Sequence, residues 1–252
     1  ACIRYAIVAL YKIYDVARNA TIAILRNIDR SAAQNIVNKL VIKLPEGNAA
    51  PSLPVAPALK EIQPVNFDLP STLTHVLAGH PGMIRGDPDY FPLYVGNHIL
   101  GGNGLVSRII EEIREKRGLS YSAYSYFHPM RESGPFTIGL QTSNDQKDEA
   151  IGVMRETWQT FIEEGPTAKE LEASKPIITG GFPLRIASNS KILGYLAVIG
   201  FYDLPLDYLD NFNSHIEAVT LEQIKEAFKR RVHPDKMVTV TVGATATPPE
   251  PD

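Results

Sequence analysis

Apolar positions in this chain recur at two periods, near 3.6 and near 2, and the switches between them mark out its elements. Residues 3–14 are almost continuously apolar, with tyrosines among the aliphatic side chains, and are read as helical. Residues 19–25 (NATIAIL) are a short run of apolar and β-branched side chains, the pattern of a buried strand. From Ala32 onward, Ala33, Ile36, Val37, Leu40 and Val41 return at helical spacing, and Asp29 or Ser31 is placed to cap the start. Residues 19–44 therefore predict a strand followed by a helix.

Prolines then fall at positions 45, 51, 54, 57 and 64 among small residues. Each removes a backbone donor and fixes φ, so 45–64 is read as an extended, semi-stiff linker. Beyond it, residues 72–78 predict a strand and 89–100 a helix stopped by Gly101-Gly102. Residues 105–116 predict a second helix, with Ile109, Ile110 and Ile113 on one face and an end near Gly118. Two strands follow at 121–127 and 135–142, joined by a turn at 131–134, then a helix over 149–162 containing Trp158. Thr167 and Glu170 have the spacing of a capping box. The helix they open meets Pro176, Gly180, Gly181 and Pro183, where a break or kink is expected. A second box, Thr220 with Gln223, opens an amphipathic helix to about Arg231, and residues 237–242 (MVTVTV) end the pattern with a strand. Helices and strands in this mixed order predict an α+β fold with helices packed on one sheet face.

Composition narrows the function classes. The 252 residues are 44% hydrophobic and 21% charged, enough to fill a core. The formal net charge is -3 with no basic block, which gives nucleic-acid binding no support. No run approaches the ~18 apolar residues of a membrane span. The single cysteine, Cys2, excludes a disulfide framework and any multi-cysteine metal site. The first residues lack the pattern of a signal peptide and the chain does not begin with methionine, so it is expected to start inside a longer polypeptide.

Candidate chemistry is sparse. The six histidines are His75, His80, His98, His128, His215 and His233. None has a second histidine three or four residues away, the spacing a helical zinc site needs. His75 and His80, five apart across a strand and turn, are expected to face different ways. There is no Gly-x-Ser-x-Gly, and Cys2 has no activating context. Gly101, Gly102, Asn103 and Gly104 precede a helix. They either offer an anion the helix N-terminus or simply turn the chain between two helices.

The stretch 101–126, GGNGLVSRIIEEIREKRGLSYSAYSY, holds the densest chemistry. Arg108, Arg114, Lys116 and Arg117 stand beside Glu111, Glu112 and Glu115, the pattern of a solvated helix face with local ion pairs. Tyr124 and Tyr126 are expected on one strand face, and Tyr121 on the other with Ala123 and Ser125. A guanidinium at a helix end, set against a phenol at a strand start, could converge on one carbonyl of a bound peptide.

These residues carry a resemblance. IREKRGLSY, with LGGNGLVSRI upstream and SAYSYF downstream, resembles the C-terminal-type domain of the insulinase / mitochondrial processing peptidase (pitrilysin) family of zinc peptidases. His80-Pro81-Gly82, the helix start around residues 87–91 and YDLPLDYLDNF (202–212) match as well, so the likeness covers roughly 60–243. Residues 5–50, with ARNATIAI and LPEG, resemble the last helix, strand and helix of the family's N-terminal-type domain, although Arg26-Asn27 stands where Gly-Asp is usual.

The resemblance implies a two-layer sandwich, a mostly antiparallel sheet with helices on one face. It implies a domain fragment over 1–44, a linker over 45–64, a C-terminal-type domain over 65–245 and a tail over 246–252. It assigns catalytic roles to Arg114 and Tyr121, whose seven-residue spacing matches the family's pair. Tyr121 is expected to stabilise a developing oxyanion, and Arg114 to hold a substrate carbonyl or carboxylate. Gly101, Gly102, Asn103 and Gly104 are expected to contribute to substrate binding.

The family's inverted His-x-x-Glu-His zinc motif is missing. The chain is thus expected to bind no metal and to hydrolyse no peptide alone, with zinc held by a partner domain or subunit of the same family. A peptide substrate is implied, and export to a bacterial periplasm rather than residence in the cytoplasm. A catalytically inactive scaffold member is the alternative.

Overall fold

A computed structural model describes residues 2–244. The expected tail, 246–252, lies outside the described residues. In chain order the helices are α1 (Cys2–Tyr14), α2 (Arg30–Val41), α3 (Tyr90–Asn97), α4 (Arg108–Ile110), α5 (Lys147–Glu164), α6 (Ala168–Arg185), α7 (Asn189–Tyr202), α8 (Tyr208–Ala218) and α9 (Leu221–Arg231). The strands are β1 (Gln63–Asp68), β2 (Leu73–Met83), β3 (Ser122–Phe127), β4 (Gly134–Ser143) and β5 (Val238–Gly243).

The chain divides into two compact units. One comprises residues up to Pro54 together with Gly181–Asn211, the other Val55–Gly180 together with Phe212 onward. The first division falls inside the proline-rich stretch. The second falls between Gly180 and Gly181, within α6, and the third between Asn211 and Phe212, within α8.

The larger unit holds one five-stranded sheet in the order β1-β5-β2-β4-β3. Three of its four pairings are antiparallel and only β1–β5 is parallel, so the sheet is mixed and mostly antiparallel. Burial alternates along β2, with Thr74, Val76, Ala78 and His80 buried and His75 and Leu77 exposed. That is the period of a sheet with one covered face. The covered face receives helices. Phe228 of α9 meets Phe127 of β3 and Phe161 of α5 edge-to-face, at 6.0 and 4.9 Å between centroids. A Cβ on Gly96 of α3 would collide with Phe228 and Ile224, so the missing side chain lets α3 lie against α9. Trp158, Phe136, Phe161 and Phe228 are almost wholly buried, and each large apolar side chain so removed from water contributes about 2–3 kcal/mol.

Several expectations are corrected. Residues 19–25 form no strand: Ala17–Asn19 is a 3₁₀ turn, and 20–25 carry no regular structure and join no strand among the described residues. An apolar β-branched run makes a strand only where another backbone takes up its donors and acceptors. The helix expected over 105–116 is three pieces, a 3₁₀ turn Gly104–Val106, the single turn α4 and a π-helical turn Glu111–Glu115. The preceding helix likewise ends in a π-helical turn, His98–Gly102. No break occurs at Pro176–Pro183, for α6 runs 18 residues without interruption. Pro176 removes one donor, to the carbonyl of the exposed residue Glu172, and the glycines have open space around them.

Caps follow the sequence closely. The Asp29 side chain accepts from the Ala32 amide at 2.7 Å. Thr220 and Gln223 form a complete capping box. Residues 45–62 carry no regular structure, and the described backbone of β1 begins at Gln63, inside the stretch read as linker. Pro64 is tolerated there because β1 is an edge strand.

Candidate functional site

Arg114 and Tyr121 come together. The Arg114 guanidinium lies over the Tyr121 ring, 4.8 Å from its centroid, in cation–π geometry. The intervening residues explain the seven-residue spacing. Gly118 adopts φ +63, a left-handed conformation that glycine takes without steric cost. Its amide donates to Arg114 O at 2.9 Å, and the Leu119 amide reaches back to Ile113 O at 2.9 Å, closing the π-helical turn in the manner of a Schellman end. Leu119 is buried, and the Thr142 hydroxyl donates to its carbonyl at 2.6 Å. The Ser120 hydroxyl bridges to Ser122 O and Gln141 O, at 2.7 and 2.5 Å. The loop is thus stitched to β4 before the chain enters β3, and Tyr121 is the one residue of it directed back over Arg114.

Ion pairing separates the four cations of the segment. Arg108 is held bidentately by Glu170, also donates to Gly165 O and stacks on Phe161. Lys116 binds Glu112 and Glu111, and Arg117 binds Glu112. Arg114 has one loose pair, Nε to Glu115 Oε1 at 3.5 Å, with a Glu115 side chain that is itself mostly exposed. The expected solvated face of ion pairs accounts for Lys116 and Arg117 and leaves Arg114 free to take another acceptor. Glu112 is held below the usual carboxylate range chiefly by its bond from Lys116. Burial pushes Glu170 up, but the Arg108 bonds and the Thr167 amide outweigh it and its carboxyl stays low.

Tyr121 is 83% exposed and precedes β3. The expectation that it shares a face with Ala123 and Ser125 is corrected, since those two are buried. Strict alternation ends at Ser120, whose bonds to β4 turn the chain before the strand begins. The Tyr121 hydroxyl has no hydrogen-bond partner among the described residues. Tyr124 and Tyr126 do share the exposed face, stacked at 5.7 Å and 14°, and His128 continues the row edge-on to Tyr126 at 5.2 Å. The extension to His128 escaped sequence reading because it lies one residue beyond β3.

The glycine loop divides. Gly101 is buried, and a Cβ there would strike the backbone and hydroxyl of Ser125. Asn97 Nδ2 donates to Ser125 O and Ser125 Oγ to Asn97 Oδ1, so this turn is fastened to β3. Gly102 is exposed, Asn103 half-buried, and Gly104 stands in open space at φ +50. Leu105 and Val106 beyond it are exposed.

His75 and His80 lie on opposite faces of β2, both within the one strand. Among the described residues no group of three or more His, Cys, Asp or Glu side chains could hold a metal ion. No helix among the described residues is long and apolar enough to cross a membrane.

The family model for the peptidase M16 inactive domain matches residues 4–177. The chain belongs to that family. Its resemblance to the C-terminal-type domain of the pitrilysin family is thereby shown. The M16 inactive domain is 34% identical over 154 residues to the uncharacterized zinc protease YmxG of Bacillus subtilis, covering 60% of this chain and 36% of that protein. It is 31% identical over 134 residues to a Helicobacter pylori protein described as the non-peptidase homolog YmxG, covering 52% and 30%. The chain thus spans about a third of the length of these relatives. A crystal structure of a peptidase M16 inactive domain from Pseudomonas fluorescens superposes with a TM-score of 0.90 at 35% identity, covering 98% of this chain and 59% of that one.

Proposed function

We propose that this M16 inactive domain is the substrate-binding, non-zinc part of a zinc metalloendopeptidase, contributing Arg114 and Tyr121 to an active site completed by another domain or subunit. The observation that carries this reading is the Arg114–Tyr121 pair itself. It combines a loosely paired guanidinium with an exposed phenol whose hydroxyl has no partner among the described residues. A purely structural arginine is normally consumed by its neighbours, as Arg108 is by Glu170.

The described residues do not fit a zinc ion, so the metal and the general base are assigned to the partner. In this reading Arg114 presents its fork to a carbonyl or carboxylate of the peptide. The Tyr121 hydroxyl donates to the oxygen on which negative charge develops. Gly102, Asn103 and Gly104 border the peptide's path. The substrate is a peptide in extended form.

The test uses the full polypeptide combined with its zinc-bearing domain or subunit and a peptide cleavage assay. Tyr121→Phe keeps the ring under Arg114 and removes only the hydroxyl. It is expected to lower kcat by about 10²-fold, the scale of one lost oxyanion donor. Arg114→Ala is expected to lower kcat/KM by a similar factor. Wild-type turnover in both variants would sink the proposal.

The Helicobacter relative described as a non-peptidase homolog supports a second reading, a catalytically inactive scaffold. On that reading the assembly cleaves no peptide, and both substitutions leave its formation unchanged.

A further inference from the structure

Trp158 is the chain's only tryptophan and is 1% exposed, yet its indole Nε1 has no hydrogen-bond partner among the described residues. A buried N–H without an acceptor has lost its hydration and gained nothing in return, so native proteins rarely keep one. A second group beside it is also unsatisfied. Arg155 lies three residues earlier on the same face of α5 and is half-buried, and its guanidinium pairs with no carboxylate among the described residues. In the same unit Arg108, Arg230 and Arg231 are each bound to a carboxylate. A buried donor and an unpaired cation are thus left side by side.

Both residues line a pocket of about 370 Å³. Its apolar walls are Ile162 of α5, Ile62 just before β1, and Pro234 in the 3₁₀ turn Pro234–Lys236. Two carboxylates, Glu163 and Asp235, line it as well. Glu163 follows Arg155 by eight residues, about 12 Å along the helix axis, and accepts from Gln159 Nε2 at 3.0 Å. Asp235 is exposed and forms no ion pair among the described residues. The pocket therefore offers a cation and a donor toward one end of this helix face, negative charge beyond them and apolar surface between. Neither Arg114 nor Tyr121 lines it.

We infer that this pocket binds a short apolar peptide with both ends free, its carboxylate at Arg155 and Trp158 and its ammonium toward Glu163 and Asp235. A carboxylate has lone pairs enough to accept from the indole N–H and from the guanidinium fork together. The 12 Å between the charged ends corresponds to about three or four extended residues. The peptide's apolar side chains cover Ile62, Ile162 and Pro234. A bare anion would meet two carboxylates, and an aliphatic acid would lay hydrocarbon against them, so a ligand charged at both ends fits best. Arg155 breaks no bond in moving, which lets the pocket adjust as the peptide seats. The inference does not rest on the role proposed for Arg114 and Tyr121, which lie outside this pocket.

Trp158 itself reports the binding, because all tryptophan fluorescence of the chain comes from it. The probes are the tripeptide Leu-Ala-Leu, its C-terminal amide, its N-acetyl form, and octanoate. The free tripeptide is expected to change the emission in a saturable way. The amide should bind at least ~10-fold more weakly, the scale of a lost hydrogen bond between charged groups. The N-acetyl form should lose about threefold, since Asp235 and Glu163 are exposed. Arg155→Gln should weaken the free tripeptide by at least ~10-fold and bring it level with the amide. Trp158→Phe, followed by calorimetry, should also favour the amide relative to the acid. Trp158 is a core residue, and Arg155→Gln keeps the test decisive if that variant fails to fold.

No saturable change with the free tripeptide at millimolar concentration overturns the inference and leaves Nε1 to a buried water. Equal affinity for acid and amide overturns it too, as does full affinity in Arg155→Gln. Octanoate binding as tightly as the tripeptide would also overturn it, making the ligand an aliphatic acid. Arg114→Ala and Tyr121→Phe should leave the titration unchanged. Wild-type turnover in those two variants would remove their proposed role and leave this pocket standing, and slowed turnover without tripeptide binding would do the reverse.

Discussion

At the scale of single residues, this domain keeps two kinds of polar side chain. Arg108, Lys116 and Arg117 are held in place by ion pairs, whereas Arg114 is left over a tyrosine face with one loose partner. His80 belongs to the held kind. It is buried, its Nδ1 bonds Pro81 O at 2.7 Å, and its Nε2 accepts from the His233 amide at 3.1 Å. That assigns the proton to Nδ1. Burial holds the imidazole below its ordinary value, the Pro81 bond opposes this in part, and His233 adds to it. Protonation at Nε2 would break the His233 bond.

The consequence has a definite sign. The unfolded chain takes up a proton on this histidine below about pH 6.5, while the native state resists it. The stabilisation is present above that pH and is lost as pH falls through the lower native value. Asp89, held down first by its bond from Arg230, adds a second loss below about pH 4. Urea midpoints measured between pH 8 and pH 5 should therefore fall with acidity, and His80→Gln should flatten that slope. An unchanged slope in the variant would show that His80 is not the group titrating.

At the scale of elements, the sequence was most readable where a local bond decides the outcome. Both threonine capping boxes form, and Asp29 caps α2, because those contacts lie within four residues. It was least readable where a distant surface decides. Residues 19–25 have a strand's composition and no strand to join. Residues 105–116 have a helix's periodicity, yet Gly101 must seat against Ser125 and the chain must return over Arg114, so the helix is divided into turns of three kinds. The missing Cβ of Gly96 was likewise silent, since its purpose is Phe228, far along the chain.

Two substitutions separate these cases by chemical denaturation. Thr220→Ala removes a cap and should cost about 1 kcal/mol. Gly96→Ala raises helix propensity but drives a methyl into Phe228 and Ile224, so a net loss of about 1–3 kcal/mol is expected. A stabilised Gly96→Ala would show that α3 and α9 can move apart freely.

At the scale of the whole molecule, the chain passes between the two compact units three times. The crossings within α6 and α8 leave no mark in the sequence, because each lies inside an unbroken helical stretch. The crossing at Pro54 lies where proline spacing suggested a linker. That stretch is partly anchored: the Ala17 amide bonds Pro45 O, and the Ala50 amide bonds Asn19 Oδ1 at 2.8 Å. Backbone hydrogen bonding protects a chain from proteases more than its position does. Limited digestion with a broad-specificity protease should therefore cut first between residues 51 and 62, read by mass spectrometry. First cuts within 98–118 would identify the π-helical turns as the less protected region.

By itself the sequence determined the α+β order of elements, the caps, the absence of a histidine pair at zinc-ligand spacing and the seven-residue interval of Arg114 and Tyr121. Those are properties of neighbouring residues, and spacing encodes them directly. Tertiary structure decided which arginine is left available, which face of β3 its tyrosines take, and that β2, β3, β4 and β5 line a groove without lysine, arginine, aspartate or glutamate. Each of these depends on register between strands or on ion pairs such as Arg108–Glu170, formed by residues 62 positions apart. No local pattern carries such information, because a salt bridge and a strand register are set by which distant segments pack together.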